Sequence, residues 1–349
     1  MKYLKKFDNY ASYEEARQNL ILPNVSLCVA ENEVYYNPYV PPFFCKLALN
    51  NGETVKLEGN GELTSAMTSA YSATVVSAEI GTLCTSIGAR AFRDCNSLTS
   101  INVDGGNTNF SSEDGVLFNK AKTTLIQCPN GNLRTSYTIP SSVTSIGNWA
   151  FDSCSGLTSI DIPNSVTRIG NYSFYGCSGL TSIDIPNGVT SLGINVLANC
   201  SSLTSVTIPD SVTSIGQNAF GNCSSLTSID IPNSVTRIDT FAFYRCTSLT
   251  SIDIPNSVRS IGYQAFDSCS GLTSVTIGSG VTSIGSYAFY PCKSLTSVTI
   301  NATTPPPLSS GSVAFGGKYV NYPIYVPSAS VEAYKSAWSD YTSRIQAIP

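Results

Sequence analysis

Residues 142–164 read SVTSIGNWAFDSCSGLTSIDIPN, and residues 165–187 read SVTRIGNYSFYGCSGLTSIDIPN. The second stretch repeats the first at a distance of 23 residues. Cysteine marks the period, falling at 154, 177, 200, 223, 246, 269 and 292, always 23 apart. Units of this length run from 142 to 302 without insertion or deletion. A fixed period of this size is the signature of stacked repeats, and it decides the architecture before any single residue does.

The apolar positions of the first unit are Val143, Ile146, Ala150, Phe151, Cys154, Leu157, Ile160 and Ile162. Leu157-x-x-Ile160-x-Ile162 has the alternation of a short strand with one face inward. Pro163 ends it, because proline cannot donate to a ladder. Val143-x-x-Ile146 gives a second short extended stretch. Ala150, Phe151, Cys154 and Leu157 are spaced as in one or two helical turns with one buried face. One coil of 23 residues cannot enclose its own apolar side, whereas stacked coils can, each touching only its neighbours. The expected fold is therefore a β-rich α/β solenoid with a parallel sheet.

Outward from the strict units the pattern continues with defects. Residues 83–105 form one unit, and residues 106–141 a longer one with a hairpin insert at about 115–128 that turns at 119–122. Val75, Ala78 and Ile80 occupy strand positions in a degenerate unit. A last partial coil keeps Ala314-Phe315 and ends at Ile324-Tyr-Val-Pro327. The array comes to about ten coils, roughly 45–50 Å long at the interstrand spacing. Three parts follow: a small α+β head at 1–58, the solenoid at 59–327 and a helical cap at 328–349. In the head, Ser12-Tyr-Glu-Glu15 is a capping box opening a helix to Leu20. Residues 25–29 and 34–36 read as a hairpin, as do 43–49 and 54–57 around Asn51-Gly52, a pair that favours a type I′ turn. Residues 328–338 read as a helix and 344–348 as an extended end.

Composition excludes several functions. The chain of 349 residues has 19 Lys plus Arg against 23 Asp plus Glu, a net charge of −4. That is no footprint for a phosphate backbone, so nucleic acid is not expected as a partner. Histidine is absent, which removes Ser-His-Asp and Cys-His catalysis and imidazole metal sites. No C-x-x-C occurs, so zinc spacing is missing, and no cofactor is expected. Residues 311–318 lack the spacing of a phosphate-binding loop. No apolar run is long enough to span a bilayer. The start, with Lys2, Lys5 and Lys6, is followed by mostly polar residues rather than a signal-peptide core.

The repeated V-T-S-I-G-x-x-A-F-x-x-C-x-x-L-T-S-I-x-I-P unit resembles the BspA-like leucine-rich repeat family. The resemblance covers roughly residues 60–349, and Ile324-Tyr-Val-Pro-Ser-Ala-Ser-Val-Glu-Ala-Tyr-Lys-Ser-Ala-Trp338 is similar to that family's C-terminal cap. It implies a leucine-rich-repeat array and adhesion to host proteins or other cells, as for members on gut and oral Bacteroidales. The head, with Leu22-Pro-Asn-Val-Ser-Leu-Cys28 and Val34-Tyr-Tyr-Asn-Pro38, is similar to leaders of proteins from gut Bacteroidales and their phages.

Three sets of residues are candidates. The periodic thiols Cys154, Cys177, Cys200, Cys223, Cys246, Cys269 and Cys292 read as a buried structural ladder of small apolar filler, with poor geometry for disulfides. Cys28 and Cys45 lie outside it and could pair. Asp161, Asp184, Asp230 and Asp253 line outward strand positions; they read as a solvated surface or as a ligand face. Neighbours at ~4.8 Å would suit paired-carboxylate chemistry, but a catalytic pair is unique and these recur. Trp149, Tyr172, Tyr175, Phe241, Tyr244, Tyr263, Tyr287 and Tyr290 lie outside the apolar consensus, either as a recognition ridge or as packing over the next coil. Arg168, Arg237 and Arg259 read as solvated.

The reading favoured is a non-catalytic adhesion or receptor-recognition protein binding a host or bacterial surface protein or glycan. Without an export segment a virion attachment protein, such as a phage tail fibre, is slightly favoured; it would be cytoplasmic before assembly, with 1–58 anchoring it or joining copies. A bacterial cell-surface adhesin is the alternative. A carbohydrate-active enzyme or an intracellular scaffold comes behind both.

Overall fold

The computed structural model describes residues 42–308, 313–316 and 320–349, and the backbone of the strands Lys5–Phe7, Leu27–Ala30 and Glu33–Tyr36. The chain divides into two compact units, residues 1–43 and 44–349. In the first, Glu33–Tyr36 pairs antiparallel with both Leu27–Ala30 and Lys5–Phe7, which realises the hairpin read from 25–36. The helix expected at 12–20 lies outside the described residues.

The second unit is a parallel β-solenoid of about 12 turns, against about ten expected. The difference lies at the ends. Val75–Ile80 opens the column of long strands, pairing parallel with Ser100–Val103, and Ile345–Ala347 closes it on Ile324–Val326. The hairpin Cys45–Leu49 and Thr54–Leu57, grouped with the head in the sequence, lies antiparallel on Val75–Ile80 and covers the first edge of the sheet. Its turn is not type I′. Gly52 has φ of +87°, but Asn51 is not left-handed, and Gly52 N–H donates to Leu49 O at 3.0 Å. This is a type I turn followed by a left-handed glycine, the common three-residue loop.

Each coil has three sides. One is a long strand such as Ser159–Asp161, in register with Ser136–Thr138 below it. The second is a two-residue strand such as Ser145–Ile146, pairing with Arg168–Ile169. The insert supplies this side for its own coil: Val116–Asn119 and Thr124–Gln127 form the expected hairpin, and Leu125 registers on Ile146. The third side carries Ala150, Phe151, Cys154 and Leu157, all buried as expected. It is not helical. Trp149 and Ser153 have φ of +61° and +57°, and left-handed residues four apart break any helix. The backbone makes successive tight turns instead, and its free N–H groups reach the next coil, as Phe151 N–H does to Ser173 O at 2.7 Å. Among the described residues, α-helix is confined to Ser65–Thr68 and Val331–Ala337.

The interior is built from columns. Phe220, Phe243, Phe266, Phe289 and Phe315 stack with centroids 4.9 to 5.5 Å apart and planes within 8°. The column is interrupted at Leu197 and resumes with Phe174 on Phe151. Threonine hydroxyls staple the coils from outside: Thr181 Oγ1 donates to Thr158 O at 3.1 Å, and Thr204 Oγ1 to Thr181 O at 3.0 Å. At the far end Tyr334 and Trp338 of the cap donate to Ala302 O and Pro306 O, and the buried Arg344 donates to Phe315 O and Tyr322 O. These bonds satisfy carbonyls that no further coil covers.

Candidate functional site

The thiols of the strict units are all buried. They are more than filler. Cys177 Sγ donates to Phe151 O at 3.1 Å, and Cys200, Cys223, Cys246, Cys269 and Cys292 repeat the contact 26 residues upstream at 3.1 to 3.3 Å. Burial pushes Cys200 and Cys292 up to about 12 and holds Cys177, Cys223, Cys246 and Cys269 well above the ordinary thiol value. Protonated, inaccessible thiols are neither nucleophiles nor metal ligands. Cys45 is also buried and free, while the Cys28 side chain lies outside the described residues.

The carboxylates Asp161, Asp184, Asp230 and Asp253 are all exposed on the long-strand side. They alternate with inward Ile160, Ile183, Ile229 and Ile252, as the strand period requires. Thr207 and Thr276 stand opposite Asp184 and Asp253 on the next strand, so these two are not paired with a carboxylate on that side. Among the described residues no group of three His, Cys, Asp or Glu could hold a metal ion.

The aromatic candidates gather on the turn side. Trp149, Tyr172, Phe241 and Tyr287 occupy one repeat position, and Tyr175, Tyr244 and Tyr290 another three residues on. Trp149 stacks on Tyr172 at 3.7 Å and meets Tyr175 edge-on at 6.1 Å, with the Arg90 guanidinium 4.1 Å from the Trp149 ring. A second group runs Tyr244, Phe241, Tyr263, Tyr287, Tyr290, with successive centroids 5.6 to 5.9 Å apart and edge-on. Tyr263, Tyr287 and Tyr290 are exposed, the others half-buried. Between the groups lie two coils whose corresponding residues are Asn195 and Asn218, joined by an amide hydrogen bond from Asn218 Nδ2 to Asn195 Oδ1. The rings thus both pack on each other and face water, so the two readings of the ridge are joint properties of one surface.

Repeat geometry of this kind is matched by one family description. The sequence profile of the BspA type leucine rich repeat region matches residues 65–134, 130–249 and 192–305, well over half of the chain. The chain belongs to the BspA-type leucine-rich repeat family. The chain is also similar to solved structures. A leucine-rich repeat protein from Eubacterium ventriosum is 30% identical with a TM-score of 0.55, covering 60% of this chain and 56% of its own. The chain thus spans little more than half the length of that relative. A leucine-rich repeat protein from Bacteroides ovatus is 20% identical over 93% of this chain and 98% of its own, with a TM-score of 0.41. The pneumococcal vaccine antigen PcpA is 22% identical over 83% of this chain and 56% of its own, also at 0.41. No curated protein gives a significant match. Among the described residues, no helix of this BspA-type chain is long and apolar enough to cross a membrane.

Proposed function

We propose that the chain is a non-catalytic recognition protein whose aromatic ridge binds a protein or glycan on a host or bacterial cell. It would act displayed on a cell or a virion, with the first compact unit, residues 1–43, as the anchoring or oligomerising module. The observation that carries this reading is conformational. Trp149, Tyr172, Phe241 and Tyr287 have φ of 59° to 61°, in the left-handed region. A residue other than glycine held there costs of order 1–3 kcal/mol, and asparagine tolerates it best. Asn195 and Asn218 fill the same position with φ of 53°. Large rings retained where the backbone favours asparagine, and left partly in water, point to selection for surface contact. A long rigid array with many shallow contacts gains further from display in several copies.

The test is the double variant Phe241→Asn with Tyr287→Asn, assayed for adhesion of labelled protein to intact bacterial and epithelial cells. Adhesion should be lost while thermal stability is kept or raised. Undiminished adhesion overturns the reading, as does glycan turnover that disappears on Asp230→Asn.

A further inference from the structure

The short-strand side is continuous on either side of one junction and open at it. Arg168–Ile169 pairs with Ser145–Ile146 but is the last strand of its sheet; the next begins with a bridge from Leu192 to Ile215. The coil that follows the opening departs from the consensus at Gly188, Leu192, Val196 and Leu197. In other coils a serine at the position of Gly188 staples the junction: Ser165 Oγ donates to Val143 O at 2.7 Å, and Ser211 Oγ to Val189 O at 2.6 Å. Gly188 has no hydroxyl to do so. A cleft of about 460 Å³ lies at the opening, among Asn148, Arg168, Asn171, Thr190, Ser191 and Gly193.

Arg168 is the distinctive group. Arg237 holds the same repeat position and is neutralised by Asp239 at 3.2 Å, two residues along. The residue two along from Arg168 is Gly170. Arg259 donates to Gly280 O at 3.0 Å. Among the described residues Arg168 has no ion pair and no hydrogen-bond partner, and no Asp or Glu lines the cleft. Asn148 and Asn171 use their Oδ1 atoms to accept from Asn171 N–H and Ile194 N–H at 2.9 Å, and among the described residues neither Nδ2 has an acceptor. Ser191 and Thr190 add hydroxyls.

We infer that this cleft binds the carboxylate of an acidic sugar, a uronate-type residue of a glycan. The inference rests on the recognition reading above but names a different surface of the same array. A guanidinium donates bidentately to a carboxylate. The amides and hydroxyls around it match the ring hydroxyls that an acidic sugar carries and an acidic peptide side chain does not. The volume falls in the usual range for small-ligand sites.

The full chain is titrated calorimetrically with polygalacturonate, its methyl ester and polyglutamate at low ionic strength. Wild type, Arg168→Gln and Arg237→Gln are compared; both arginines are exposed, so neither change disturbs the core. Polygalacturonate should bind wild type and Arg237→Gln alike, and at least tenfold more weakly to Arg168→Gln; the ester should lose as much. Equal binding by Arg168→Gln, or no binding by wild type, overturns the cleft assignment. Tighter binding of polyglutamate overturns the sugar. Neither result touches the adhesion assay on the ridge variant, whose failure would defeat the broader reading alone.

Discussion

The Cys246 thiol donates to the backbone carbonyl of Phe220, 3.1 Å away and 26 residues upstream. The bond crosses from one coil to the coil before, on the turn side. The same carbonyl also accepts from Cys223 N–H of its own coil, at 3.2 Å, so the thiol takes its second lone pair. A thiol is a weak donor, and here it adds an inter-coil hydrogen bond to a carbonyl already paired once, so the periodic cysteine is a small residue that also supplies a proton. Alanine would fill similar space and leave the carbonyl with less. Six of the seven periodic thiols make this contact, which neither alanine nor valine could supply.

The thiols should make stability fall in alkali. Below the ordinary thiol pKa of ~8.5 folded and unfolded chains are both protonated at these sites, and the full stability is present. Above it the unfolded chain loses protons that the folded chain keeps until about pH 12 at Cys200 and Cys292. The unfolded state then binds fewer protons, so stability declines with rising pH, by about 1.4 kcal/mol per pH unit for each such thiol. Urea denaturation from pH 7 upward should show the decline, and native protein should resist iodoacetamide at the ladder throughout. A flat profile to pH 11 contradicts the burial.

Phe220→Ala should cost ~3–5 kcal/mol, the usual loss for a buried phenyl. Phe220 is fully buried and stacks on Phe243 at 5.1 Å, with Leu197 rather than a ring at its level in the preceding coil. It therefore ends one phenyl column, and its loss should loosen the coils beside the cleft first. Hydrogen exchange on 188–233 gives the local effect and urea midpoints the global one. A change under about 1 kcal/mol would show that the surrounding coils collapse freely into the space.

How much of this was legible varies with the kind of force involved. The long strands, the buried thiols and the outward aspartates follow from alternation and period alone, because Ile183 and Asp184 cannot both face inward. The third side did not follow. Ala150, Phe151, Cys154 and Leu157 have helical spacing, and the left-handed positions between them are filled by Trp149 and Ser153 rather than by glycine, which would have announced a turn. Arg168 carried a readable signal, Arg-Ile-Gly against Arg-Ile-Asp at residue 237, but its meaning depends on a sheet break that no local pattern encodes. Arg344 gave none, since its partners are the backbone carbonyls Phe315 O and Tyr322 O and the faces of Tyr322 and Tyr341.

Gly188→Ser tests whether the missing staple opens the cleft. A Cβ at Gly188 would come 2.9 Å from Thr167 Cγ2 and 3.1 Å from Val166 O. The first contact is with the end of an exposed side chain that can rotate; the second places a serine hydroxyl near the carbonyl that its counterparts at 165, 211, 234 and 257 use. The substitution should add one inter-coil hydrogen bond, about 0.5–1.5 kcal/mol, and draw Thr190 toward Thr167. Gly280 shows that the hydroxyl is not the only determinant, since Ser260–Ile261 and Ser283–Ile284 stay paired beside it. The restored bond should therefore raise the urea midpoint and weaken uronate binding together. Greater stability with unaltered binding would place the cause of the opening in Val196 and Leu197, on the turn side, instead.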